Sequence, residues 1–99
     1  MTTFASYEEL REFAATQADE HSKFSRVENK LSNRPDLHAF LLLDQLCPGD
    51  RDMVCAATHD VIYLDPDTEA LARVITPEQV IELIRCCVRF ESEGLEMFA

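Results

Sequence analysis

The chain has 99 residues, 46% of them hydrophobic, and a formal net charge of −10 from 19 acidic and 9 basic side chains. This length predicts one domain over residues 1–99, with a modest core. Its apolar runs are too short to span a bilayer, and the acidic balance disfavours direct binding to nucleic-acid phosphates, which requires a Lys/Arg patch. The first residues lack the basic start and apolar core of a secretory signal, so we expect a cytoplasmic protein.

The first predicted element is a long helix over residues 7–32. Ser6 and Glu9 have the spacing of a capping box, in which each side chain satisfies the other residue's free backbone donor. Apolar residues then recur at helical spacing. Two polar residues interrupt that face in the middle, which leaves open a break within residues 16–22. The helix ends before Pro35, because the residue that precedes a proline disfavours helical geometry.

A second helix is predicted over residues 36–46, with Pro35 in its first turn. Apolar residues lie nearly all round this helix, so we expect it to be the most buried one. After a proline- and glycine-containing turn, residues 53–57 and 61–64 are rich in apolar and β-branched side chains. They predict two short β-strands joined by a tight hairpin.

Two further helices are predicted over residues 66–73 and 77–86. The second begins with Thr76 and Gln79 at capping-box spacing. Apolar and polar side chains then alternate through residues 88–98 and predict a closing β-hairpin. This order of elements predicts an α+β fold, in which a small, mostly antiparallel four-stranded sheet carries helices on one face.

The most distinctive pattern is the charge along the first predicted helix, where acidic residues are followed by basic ones on one exposed face. Acids near a helix start and bases near its end complement the helix dipole, so a solvated face accounts for part of the pattern. Two such helices lying side by side and antiparallel would match acid with base. This predicts a homodimer or a protein partner with the reverse pattern. We call these residues the charge line: Glu8, Glu12, Asp19, Lys23, Arg26 and Lys30.

The cysteines raise the alternative of a metal or thiol site. Cys47, Cys55 and His59 stand eight and then four residues apart, with Cys86 or Cys87 as a distant fourth ligand. Zinc favours these ligand types, but structural zinc sites place their ligands roughly two to four residues apart within each half. We therefore predict no metal and no other cofactor, and reduced thiols rather than disulfides. A zinc- or thiol-dependent enzyme that uses these residues stays the alternative.

No catalytic set and no small-molecule substrate are evident in the sequence. It therefore predicts a non-catalytic interaction or regulatory protein that binds a protein partner or itself, through the charge line or an exposed sheet edge. A second hypothesis is an acidic inhibitor that competes for the basic nucleic-acid-binding surface of another protein, as accessory proteins of bacterial viruses do. Carboxylates can stand in for phosphates on such a surface.

Overall fold

A computed structural model describes residues 3–98, and the predicted α+β class is confirmed. Within that range the chain forms four α-helices and a four-stranded antiparallel sheet, and none of the helices is long and apolar enough to cross a bilayer. Two 3₁₀ turns, Ala18–Glu20 and Phe24–Arg26, follow the first helix. In chain order the elements are α1 (Tyr7–Thr16), α2 (Pro35–Leu46), β1 (Val54–Thr58), β2 (Val61–Leu64), α3 (Thr68–Val74), α4 (Pro77–Arg85), β3 (Arg89–Glu91) and β4 (Gly94–Phe98).

The strands of the sheet lie in the order β1-β2-β4-β3, and every neighbouring pair is antiparallel. Both predicted hairpins are present: β1 pairs with β2, and β3 pairs with β4. Gly94 has φ of +138° directly after the turn of the second hairpin, a conformation that favours glycine. The central pairing of β2 with β4 leaves β1 and β3 as the two edge strands.

The core lies between the helices and one face of the sheet. Each helix supplies a leucine with no solvent exposure, and β4 supplies another. Burying a side chain of this size stabilises the folded state by about 1.5–3 kcal/mol relative to leaving it exposed. These five residues are Leu10, Leu43, Leu71, Leu83 and Leu95.

Side-chain caps fix the starts of three helices. The Ser6 hydroxyl accepts a hydrogen bond from the Glu9 N–H at 3.2 Å. The Asp67 carboxylate accepts two backbone N–H bonds at the start of α3. At α4 the capping box is complete, since Thr76 Oγ1 accepts from the Gln79 N–H and Gln79 Oε1 accepts from the Thr76 N–H. The predicted start of α4 is therefore confirmed.

The first helix ends at Thr16, within the break that the sequence left open at residues 16–22, rather than continuing to residue 32. Gln17, where a polar side chain interrupts the apolar face, is the C-cap residue. Ser22 then adopts a left-handed backbone conformation with φ of +64°, which redirects the chain. This turn brings the Phe24 ring to 5.8 Å from the ring of His38, a packing contact that a straight helix would not make.

The prediction that α2 is the most buried helix is wrong on one of its faces. Leu37 and Leu41 are 42% and 38% exposed, whereas the buried face includes His38 with no exposure. The histidine is buried because its ring is held on both sides: the Leu31 N–H donates to Nδ1, and Nε2 donates to a carboxylate oxygen of Glu82. The inward face of α2 therefore combines apolar residues (Ala39, Leu42 and Leu43) with a histidine whose two ring nitrogens are both hydrogen-bonded.

The end of α4 leads directly into β3. Cys87 has φ of +73°, and its N–H donates to the Ile84 carbonyl at 2.9 Å. The Val88 N–H donates to the Leu83 carbonyl at 3.0 Å. This pair of bonds is a Schellman motif with cysteine in the position that usually holds glycine. It reverses the chain without a loop and brings β3 back beside α1.

Candidate functional site

The charge line does not lie along one helix. Glu8 and Glu12 are exposed on α1, but Asp19 belongs to the first 3₁₀ turn, beyond the helix end. Lys23 comes after that turn, in the segment that Ser22 redirects. The antiparallel pairing of two long helices therefore has no continuous helix to act through. Contact between these residues and a partner stays a prediction.

Two bases of the charge line are engaged within the chain. Arg26 Nη1 donates to the Glu20 carboxylate at 2.9 Å. Lys30 Nζ donates to the Val27 carbonyl at 2.9 Å and lies 5.1 Å from the centre of the Phe24 ring. These contacts hold the turns that follow α1, so the two bases have a structural role that accounts for their positions.

Glu20 links the first 3₁₀ turn to α4. Its carboxylate accepts a hydrogen bond from Arg85 Nε at 2.9 Å as well as the bond from Arg26. The Arg85 hydrogen bond, followed by the charges of both guanidinium groups, holds the pKa of Glu20 below its usual range. Helical spacing favours an ion pair between Asp19 and Lys23. In the structure the acid that pairs with basic residues in this segment is Glu20.

The residues of the alternative metal or thiol site do not come together. Cys47 lies at the end of α2, Cys55 lies on exposed β1, and the His59 side chain is 97% exposed in the β1–β2 turn. Cys86 is fully buried after α4. Residues 3–98 contain no group of three or more His, Cys, Asp or Glu side chains placed to hold a metal ion. Burial raises the pKa of Cys86 to about 12, so its thiol is protonated at neutral pH.

Buried His38 is a polar feature that the sequence analysis missed. Its Nε2 lies 2.8 Å from Glu82 Oε2, and its Nδ1 lies 3.0 Å from the Leu31 nitrogen. Since Nδ1 accepts a backbone N–H, Nε2 carries the proton and donates to the carboxylate. Both ring nitrogens are therefore occupied, and the histidine ties the segment before α2 to α4 rather than serving as a base. The one signal in the sequence that could have indicated this residue is a lone histidine within an otherwise apolar helix.

β1 is exposed along its whole length, from Val54 to Thr58. It is an edge strand, its five residues carry no charge, and its pairing with β2 shifts register between Val54 and Ala56. The outer side of such a strand presents backbone N–H and C=O groups that no neighbouring strand satisfies. This is the exposed sheet edge that the sequence predicts in general terms, now assigned to a particular strand.

A cleft of about 510 Å³ lies between α1 and β3, and we call it the α1–β3 cleft. One wall is made of Ala14, Ala15 and Ala18, whose side chains end at Cβ and leave room beside the helix. Val88 and Phe90 contribute to the opposite wall. The volume and the mostly apolar walls are typical of small-molecule sites.

Charged groups are arranged at the side of this cleft where α1 begins. The Tyr7 hydroxyl donates to the backbone carbonyl of Glu91, a residue that lines the cleft, at 2.7 Å, and burial raises the pKa of the tyrosine. Arg89 and Glu96 form an ion pair at 2.6 Å. The Nε atom of Arg11 is buried and has no hydrogen-bond partner among the described residues. A buried donor without a partner is costly, so this guanidinium is suited to a ligand that brings an acceptor.

Comparison of the chain with known protein families, with curated proteins and with solved structures gave no match.

Proposed function

We propose that this protein is a small non-catalytic interaction protein, which associates by pairing the outer edge of β1 with the same strand of a second copy. The observation that carries the proposal is that Val54–Thr58 forms an edge strand and is exposed at every position. An edge of this kind is a template for another strand, and main-chain hydrogen bonds then supply the affinity.

The charge distribution favours this strand as the contact. The chain carries a net charge of −10, so two copies repel each other at long range. The strand Val54–Thr58 has no charged residue, so two such strands can meet without placing like charges opposite each other. Added salt screens the long-range repulsion and should strengthen the association. Pairing through the charge line would respond in the opposite way, because salt weakens attraction between exposed charges.

The residues named for an enzyme support the non-catalytic part of the proposal. Cys86 is fully buried with a raised pKa, whereas Cys55 is exposed but lies on a different element from Cys47, and residues 3–98 contain no group of three or more His, Cys, Asp or Glu side chains placed to hold a metal ion. His59 is exposed, and its nearest acid is Asp60 at 3.9 Å.

The test is the oligomeric state of the intact chain, measured by sedimentation equilibrium up to about 1 mM protein at low and high salt. The test variant is Ala56→Lys, which places a charge in the middle of the edge strand. The matched control is Ala5→Lys, which makes the same change at an exposed position outside the sheet. Circular dichroism verifies that both variants are folded.

We expect the wild-type chain and Ala5→Lys to form dimers that increase with protein concentration and with salt. Ala56→Lys should stay monomeric under the same conditions. A wild-type chain that is monomeric at about 1 mM would refute the proposal. So would an Ala56→Lys variant that dimerises as well as the wild-type chain, or a dimer that dissociates as salt is added.

A further inference from the structure

We propose that the α1–β3 cleft binds a free α-amino acid with an apolar side chain. The proposal is independent of the β1 edge, which lies at the other side of the sheet. Its basis is a pair of opposite charges that line the same cleft, Arg11 and Glu91. Among residues 3–98 these two side chains form no ion pair within 4.0 Å, either with each other or with a third residue.

Arg11 provides the site for the ligand's carboxylate. Its Nε is buried and has no protein acceptor, so a carboxylate in the cleft would satisfy a donor that is otherwise left without a partner. A guanidinium also matches the two oxygens of a carboxylate with parallel hydrogen bonds. Arg11 lies one helical turn after Tyr7, and the Tyr7 hydroxyl is bonded to the backbone of Glu91. The fold therefore brings the cation and the anion to the same side of the cleft.

Glu91 provides the site for the ligand's ammonium group. Arg89 also lines the cleft, but its guanidinium is already paired with Glu96 at 2.6 Å. A ligand with only a carboxylate would pair with Arg11 and leave the charge of Glu91 unmatched. A ligand with only an amine would pair with Glu91 and leave the charge of Arg11 unmatched. A molecule that carries both groups on one carbon matches both charges, and a free α-amino acid has this arrangement.

Besides Arg11 and Glu91, the cleft is lined by Arg89, His21 and a larger set of apolar residues, and the apolar walls determine which amino acids fit. Ala14, Ala18, Val88 and Phe90 make apolar walls around the volume of about 510 Å³. An aliphatic or aromatic side chain buries apolar surface against these walls, which is favourable by about 25 cal/mol per Å² of surface removed from water. An acidic side chain would be desolvated there, in a protein whose net charge is already −10. Leucine is therefore a suitable probe, and aspartate is the comparison ligand that should bind more weakly.

The test is a titration of the isotope-labelled intact chain with leucine up to about 10 mM, followed by amide chemical shifts. Two analogues separate the charges: N-acetyl-leucine lacks the ammonium group, and leucinamide lacks the carboxylate. We expect saturable shifts with leucine at residues 11–18 and 88–91. Each analogue and aspartate should bind roughly 10- to 100-fold more weakly, since each loses a charged hydrogen bond or an apolar contact.

Variants assign each charge to its residue. Arg11→Gln should weaken leucine binding roughly tenfold or more and abolish the preference for leucine over leucinamide. Glu91→Gln should likewise weaken leucine binding, and it should abolish the preference for leucine over N-acetyl-leucine. The matched controls, Arg73→Gln and Glu93→Gln, alter exposed residues that do not line the cleft and should bind leucine normally.

Three results would overturn the proposal. One is the absence of saturable shifts in the cleft, and another is an analogue that binds the wild-type chain as tightly as leucine. The third is an Arg11→Gln or Glu91→Gln chain that keeps the full preference for the zwitterion. The ligand series on the wild-type chain decides the matter even if a variant fails to fold.

Discussion

The buried contact between His38 and Glu82 allows a quantitative prediction. The Nε2–Oε2 distance is 2.8 Å, and the histidine has no solvent exposure. A hydrogen bond to a charged acceptor contributes about 1.5–3 kcal/mol. The Glu82 side chain is 27% exposed, so water screens part of this energy, and we expect a coupling of about 1–2 kcal/mol.

The measurement is a double-mutant cycle with His38→Ala, Glu82→Ala and the combined variant. His38→Ala loses the bond to Glu82 and the bond from the Leu31 N–H, and it also leaves a cavity, so it should cost about 3–5 kcal/mol. Glu82→Ala should cost about 1–2 kcal/mol. The combined variant should cost less than the sum of the two by the coupling energy.

Urea unfolding followed by far-ultraviolet circular dichroism gives these free energies, since the chain has no tryptophan. The control cycle replaces Glu82→Ala with Glu78→Ala, which alters an exposed glutamate on the same helix. That cycle should be additive to within about 0.5 kcal/mol. A coupling between His38 and Glu82 that is no larger than the control value would refute the argument.

Two further predictions concern Glu20 and the cysteines. Because the pKa of Glu20 is lowered, chiefly by its bond from Arg85, its stabilising effect is present above about pH 4.5 and is lost as the pH falls through the lowered value. The stability difference between the wild-type chain and Glu20→Gln should therefore shrink from about pH 7 to about pH 3 in urea titrations, more than it does for Glu8→Gln. A constant difference would contradict this. In the native protein, iodoacetamide should label exposed Cys55 before buried Cys86, as mapped by mass spectrometry; labelling at equal rates would contradict the assigned burial.

Elements defined by local signals were predicted well from the sequence. The capping box of Thr76 and Gln79 involves residues three apart, so the start of α4 at Pro77 could be read directly. The two hairpins likewise depend on short turns between alternating segments. The helix over residues 7–32 is interrupted within residues 16–22, where the sequence left a break open. The full length was wrong because apolar residues keep helical spacing past Gln17, whereas the backbone leaves the α-helical conformation there.

Long-range pairs were beyond what the sequence shows. Glu20 and Arg85 are 65 positions apart, and their contact joins the segment that follows α1 to α4. The α1–β3 cleft was not predicted either, because alanines on an amphipathic helix indicate an ordinary packing face. The sequence indicated an exposed sheet edge, but identifying β1 as that edge required the strand order.

The hydrogen bond between Tyr7 on α1 and the Glu91 carbonyl on β3, the two elements that flank the cleft, has a consequence for the timing of synthesis. The two residues are 84 positions apart, so at about 5–20 residues per second roughly 4–17 seconds separate their addition to the chain. During that interval α1 exists without its opposing wall. Any molecule that occupies the cleft therefore recognises only a chain in which these distant segments have met, and it stabilises that state by mass action. Occupancy of the cleft thus reports that folding has joined the two segments.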